Sequence, residues 1–123
     1  ALYNWVKTGT LKSEGSSAVT EGIGIGRVTA NLEGTQIDDA VRIEDAEIVR
    51  TAYRLLHREG LFLGGTSGAN VAAAVQVARE LGPGNTVVTI LCDGGHKYLS
   101  RFYNRDYLAQ KGLVEFADAG RRA

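Results

Sequence analysis

The chain has 123 residues and a mass of 13.1 kDa, with 44% of its residues apolar and 7% aromatic, which bounds it to one globular domain at most. Fourteen basic side chains against fourteen acidic ones leave no net charge, which argues against nucleic-acid binding driven by a basic surface. Cys92 is alone, so an internal disulfide is excluded, and no apolar run approaches the ~18 residues of a membrane span.

The N-terminus lacks the basic-then-apolar pattern of a signal peptide, so a soluble, cytoplasmic protein with no membrane partner is expected. The absence of any methionine reads as a chain whose natural start lies elsewhere.

In chain order, Leu2 to Lys7 reads as the tail of a helix ended by Gly9. Lys12 to Leu32 has no sustained period and is rich in Gly, Ser and Thr. A loop of ~20 residues is uncommon in a compact domain and is usually functional or disordered. It holds Gly22-Ile23-Gly24-Ile25-Gly26, which is not the dinucleotide fingerprint because the spacing differs and no helix start follows. A mobile glycine loop and a backbone pocket wall both fit it.

Ala40 to Ile43 reads as a short strand. Asp45 is placed to cap a helix whose apolar residues Ile48, Val49, Ala52, Tyr53, Leu55 and Leu56 recur near the 3.6 period, with Gly60 ending it. Leu61-Phe62-Leu63 reads as a strand running into Gly64-Gly65-Thr66-Ser67-Gly68. A helix is expected from about Gly68 to Leu81, with Val71, Ala74, Val75 and Ala78 on its inner face. Gly82-Pro83-Gly84 is a turn. Thr86 to Leu91 (TVVTIL) is an unbroken β-branched run, the pattern of a strand covered on both faces. Cys92-Asp93-Gly94-Gly95 turns out of it, short helical pieces follow from Tyr98 to Lys111, and residues 117–123 read as a frayed tail. Strand and helix in alternation predict an α/β fold with a parallel β-sheet flanked by helices.

Strand ends followed by helix starts are where such folds hold ligands. Thr66 and Ser67 open a helix, where a hydroxyl either caps the helix or meets an anion or cofactor. Cys92 is expected in the core, His57 on the surface, and His96 on a surface or in a pocket in equal measure. Two histidines and one cysteine give no metal-ligand spacing, and no G-x-S-x-G elbow is present.

Three segments in order, TEGIGIGRVTANL (Thr20 to Leu32), EGLFLGGTSGANVAAA (Glu59 to Ala74) and TVVTILCDGGHKYLSRFYN (Thr86 to Asn104), resemble the C-terminal third of the cysteine synthases, or O-acetylserine sulfhydrylases. The resemblance implies the C-terminal part of the large domain of a fold type II pyridoxal 5′-phosphate enzyme, over residues 1–116. It implies a β-replacement that joins O-acetylserine and sulfide into cysteine, an amino-acid biosynthetic step.

By the same resemblance Thr66, with Ser67 as fallback, hydrogen-bonds the cofactor's pyridine nitrogen, and the loop containing Gly22 and Gly24 lines its substrate side. A neutral hydroxyl does not hold that nitrogen protonated as a carboxylate does, so it implies a weaker electron sink suited to fast elimination of acetate.

The family's cofactor-bonding lysine, its substrate-carboxylate loop and its phosphate cradle have no counterpart in this sequence, since Lys7, Lys12, Lys97 and Lys111 all stand in other contexts. The chain alone is therefore expected to carry no catalytic residue and no activity. The resemblance further implies a homodimer at full length and docking of the serine acetyltransferase tail. A cystathionine β-synthase core, using serine and homocysteine, and a non-catalytic binding fragment are the alternatives.

Overall fold

A computed structural model describes residues 1–13, 15, 17, 19–21, 23 and 26–122. Five α-helices are found among them: α1 (Leu2–Thr8), α2 (Asp45–Arg54), α3 (Gly65–Leu81), α4 (Arg105–Gln110) and α5 (Val114–Arg122). A π-helical turn, Leu55–Glu59, prolongs α2, and a 3-10 turn spans Gly95–Tyr98.

Helix α2 is the centre of the fold. Its apolar stripe, Ile48, Val49, Ala52 and Tyr53, is buried between α3 on one side and α5 on the other. Phe102, Leu108, Leu113 and Ala117 complete the core from the C-terminal segments. Both neighbours approach α2 through glycine. A Cβ on Gly68 of α3 would stand 2.9 Å from the Ile48 carbonyl oxygen, and one on Gly120 of α5 would stand 2.4 Å from that of Arg50.

Gly60 stops the π turn in the left-handed region, φ 68°, so that the chain can leave toward Leu61. Asn104 caps α4 by accepting the Tyr107 N–H at 3.0 Å. Arg105 of α4 grips Asp118 of α5 through both guanidinium nitrogens, at 2.7 and 3.0 Å.

Several expectations meet a different structure. No strand forms among the described residues; the one pairing there is an antiparallel bridge between Leu63 and Gly94. Residues 40–43, 61–63 and 86–91 have no neighbouring strand to complete a ladder. Thr86 to Leu91, expected to be covered on both faces, is open, with Val88 83% and Ile90 67% exposed.

The inner face of α3 is also rotated from expectation. Gly65, Gly68, Ala69 and Ala72 are buried against the rest of the fold, whereas Val75 and Ala78 are exposed. Small residues won that face because only they let the α2 backbone so close. Asp45 does not cap α2, whose cap position is Glu44 without a side-chain bond; it is the first helical residue and accepts from Ser17 Oγ at 2.6 Å. Residues 117–122, expected to fray, are helical in α5 with Ala117 fully buried.

The phenols of Tyr53 and Tyr103 are half-buried or deeper, and burial pushes both above the ordinary tyrosine range. Unfolded tyrosines lose their protons near pH ~10 while these hold them in the fold, so stability is complete below that pH and is lost as pH rises through the folded values. Tyr103→Phe is expected to make the alkaline fall in stability shallower, as read by circular dichroism against pH.

Candidate functional site

The two glycine turns that follow the second and third expected strands lie side by side. The Gly64 N–H donates to the Asp93 carbonyl and the Gly95 N–H to the Phe62 carbonyl, each at 3.0 Å. Their closeness depends on glycine: a Cβ on Gly95 would lie 2.4 Å from the Phe62 ring, and one on Gly64 2.3 Å from Asp93 Oδ1. Tyr103 adds a tie, its phenol donating to the Leu63 carbonyl at 2.5 Å.

Helix α3 begins within this turn, three residues earlier than its apolar pattern indicates. Gly64 is the cap residue, with the N–H groups of Ser67 and Gly68 bonded to its carbonyl at 3.1 and 3.3 Å. Neither Thr66 nor Ser67 caps the helix. The fully buried Ser67 hydroxyl instead accepts the Cys92 N–H at 2.9 Å. One turn on, Asn70 Nδ2 donates to the Ile90 carbonyl at 2.9 Å. These two side chains pin the extended segment 90–92 along α3. Thr66 remains half-buried on the first turn, with its hydroxyl outside that lacing.

Asp93 sits beside the same turn. Its Oδ2 accepts from the Tyr98 phenol at 2.8 Å and from Lys97 Nζ at 3.4 Å. Its Oδ1 is buried and has no hydrogen-bond partner. The Tyr98 phenol is held above its ordinary range, first by that hydrogen bond.

The Gly-rich loop reaches this place from the other side. The Val19 carbonyl oxygen lies 3.1 Å from where a Gly65 Cβ would be, and Arg101 pairs with Glu21 at 2.7 Å. Gly22 and Gly24 lie outside the described residues. A cavity of about 820 Å³, a size that suits a small organic ligand, opens between Thr20, Ile23 and Leu32 on one wall and Ala69, Asn70 and Ala73 on the other. Thr66 is not on its wall.

Cys92, expected in the core, is exposed because no strand covers its segment, and its Sγ lies 3.5 Å from Asn70 Nδ2. His57 is on the surface as expected. His96 is exposed too, its ring edge-on to Phe62 at 5.2 Å. Among the described residues no group of three His, Cys, Asp or Glu is arranged to hold a metal, and no helix is long and apolar enough to cross a membrane. The residues that sequence reasoning passed over are Asn70, Asp93 and Tyr98. Asn70 follows Ser67 by three, one helical turn, which is the spacing that would have flagged it.

A profile described as pyridoxal-phosphate dependent enzyme matches residues 1–93, and the chain belongs to that family. Within it, the chain is 44% identical over 116 residues to cysteine synthase 1 of Emericella nidulans, a match covering 91% of this chain and 31% of that protein. It is 40% identical over 116 residues to the cysteine synthase of Dictyostelium discoideum, again covering 31% of it. Cystathionine beta-synthase of Oryctolagus cuniculus is 36% identical over 104 residues, of which the chain covers 19%. The chain thus spans about a third of the cysteine synthases it matches.

Proposed function

We propose that this chain supplies the pyridine-facing part of a cysteine synthase, which as a whole makes L-cysteine from O-acetyl-L-serine and sulfide. The observation that carries the reading is the division of labour in the α3 turn. Gly64 takes the cap position and Ser67 is committed to Cys92, which leaves the Thr66 hydroxyl for a ligand. Asp93 packs against Gly64 of the same turn, with its Oδ1 buried and without a hydrogen-bond partner. The residues present fit that end of pyridoxal phosphate.

When bound, pyridoxal phosphate supplies the electron sink for loss of acetate and entry of sulfide. The chain's own part is to orient it. Thr66 hydrogen-bonds the ring nitrogen, and the backbone around Gly22 and Gly24 lines the substrate side. The 820 Å³ cavity behind that loop gives room for substrate. The open segments 40–43, 61–63 and 86–91 join strands from the rest of the protein in a parallel sheet, which covers Val88 and Ile90.

Bond formation to the cofactor falls to a lysine outside this chain. Lys7, Lys12, Lys97 and Lys111 are all exposed, with Lys7 paired to Asp39, Lys97 to Asp93 and Lys111 over the Tyr107 ring. The chain alone is accordingly inactive. At full length the protein is a cytoplasmic homodimer that also docks serine acetyltransferase.

The closer identity to cysteine synthases than to cystathionine beta-synthase favours sulfide over homocysteine as nucleophile. The test is a chimera in which this chain replaces its aligned segment in the Emericella nidulans enzyme. Cysteine formed from O-acetylserine and sulfide is the expected product. Preference for serine and homocysteine, giving cystathionine, would refute the reading.

A further inference from the structure

We propose that the Glu21–Arg101 ion pair is a positioning latch for the Gly-rich loop: it fixes the loop's stem beside the α3 turn and so holds Thr20 and Ile23 on the cavity wall. The proposal rests on the pyridoxal-phosphate reading above, in which that cavity takes the substrate. Neither residue carries a chemical step; both act through the loop.

Three anchors in succession build the stem. Ser17 Oγ donates to Asp45 Oδ1 at 2.6 Å, at the start of α2, and accepts the N–H groups of Val19 and Thr20 at 3.2 and 2.9 Å. Val19 comes next, buried in the core, with its carbonyl oxygen 3.1 Å from where a Gly65 Cβ would stand. Glu21 is the third, its Oε1 accepting from an Arg101 guanidinium nitrogen at 2.7 Å across eighty residues of chain. Arg101 is itself well held. Its N–H donates to the Tyr98 carbonyl at 3.3 Å, and the next residue, Phe102, is fully buried against Gly65.

The latch stands at the edge of the cavity. Thr20 and Ile23 line it, and Glu21 lies between them in the chain. Ala69, Asn70 and Ala73 of α3 form the facing wall, so tying the stem to the α3 turn sets the spacing of the two walls. The side chains of Arg101 and Glu21 are 62% and 55% exposed, so solvent screens the pair and its effect on global stability is small. Its effect is local. Glu21 immediately precedes Gly22-Ile23-Gly24-Ile25-Gly26, and glycine loses more conformational freedom on ordering than any other residue. A fixed point at the edge of that run reduces the freedom lost when substrate binds, which favours affinity and leaves the chemical step alone.

The experiment measures kcat and the KM for O-acetylserine in the chimera. An exposed pair contributes a factor of roughly 1.5 to 5 to an equilibrium, and reversing one charge replaces the attraction with a repulsion of similar size. Arg101→Glu and Glu21→Arg are therefore each expected to raise KM roughly 5-fold, with kcat changed by less than about 2-fold. Either single variant suffices if the other folds poorly. The double variant, Arg101→Glu with Glu21→Arg, re-forms the pair in the opposite sense and is expected to recover most of the parent KM. Arg105→Glu breaks the pair with Asp118, whose members do not line the cavity, and is expected to keep the parent KM. An unchanged KM in the single reversals, a double variant no better than they are, or an equal rise in Arg105→Glu would overturn the proposal. A parent chimera that forms no cysteine from O-acetylserine and sulfide would overturn the underlying reading and this proposal with it.

Discussion

Replacing Gly120 or Gly68 with valine is expected to destabilise the fold by about 3 kcal/mol each, the upper part of the range for overpacking a filled contact. The cause is close backbone approach on both sides of α2. At Gly120 a Cβ would stand 2.4 Å from the Arg50 carbonyl oxygen and 3.0 Å from the Tyr53 Cβ. At Gly68 it would stand 2.9 Å from the Ile48 carbonyl oxygen and 3.1 Å from the Ala52 Cβ. These neighbours are helix backbone and Cβ atoms, which do not swing aside as a long side chain does, so the helices must separate. Domains of this size are stable by only about 5–15 kcal/mol, so either change removes a large share. Urea denaturation followed by circular dichroism reads it. Gly26→Ala is the control: no heavy atom lies within 4 Å of its Cβ position, and its stability should be close to the parent's.

The second large effect separates two adjacent hydroxyls. Ser67→Ala is expected to cost about 1 kcal/mol of stability, because it removes the buried hydroxyl that accepts the part-buried Cys92 N–H and ties segment 90–92 to α3. Thr66→Ala is expected to leave stability nearly unchanged, since that hydroxyl does not take part in the cap or in the tie to Cys92. In the chimera the same Thr66→Ala change should weaken cofactor binding. A neutral hydrogen bond contributes about 0.5–1.5 kcal/mol, which corresponds to roughly a 2- to 10-fold change in the dissociation constant. Thr66→Ser should retain most of the affinity. Equal stability losses from the two alanine variants would show that the turn uses both hydroxyls structurally.

Helices and their ends were legible from local chemistry. The 3.6 spacing of Ile48, Val49, Ala52 and Tyr53 marks the α2 stripe, and Gly9 and Gly60 mark real helix ends, each in the left-handed conformation. Legibility failed where a segment depends on partners far away in sequence. TVVTIL reads as a covered strand because its composition records an environment of two buried faces, yet Val88 and Ile90 stand open when no strand lies alongside. Cys92 follows it to the surface for the same reason. The inner face of α3 was expected along Val71, Ala74, Val75 and Ala78, where alanine methyls would let a sheet approach. In fact the approach of α2 selects Gly65, Gly68, Ala69 and Ala72.

At the site, the resemblance pointed to the turn, but periodicity started α3 too late and left Thr66 and Ser67 equivalent. What separates them is a long-range bond from Ser67 to the Cys92 N–H, twenty-five residues on. Asp93 had no signal of its own. Its significance comes from Gly64, whose missing Cβ lets the carboxylate in.

The central claim is that this chain orients the cofactor but does not bond to it. Its most direct test is to treat the isolated chain and the chimera with pyridoxal phosphate, reduce with borohydride, and locate the modified lysine by mass spectrometry. The account predicts stoichiometric modification of a single lysine in the chimera, in the part supplied by the Emericella nidulans enzyme, and none in the isolated chain. Stoichiometric modification of Lys7, Lys12, Lys97 or Lys111 would contradict it.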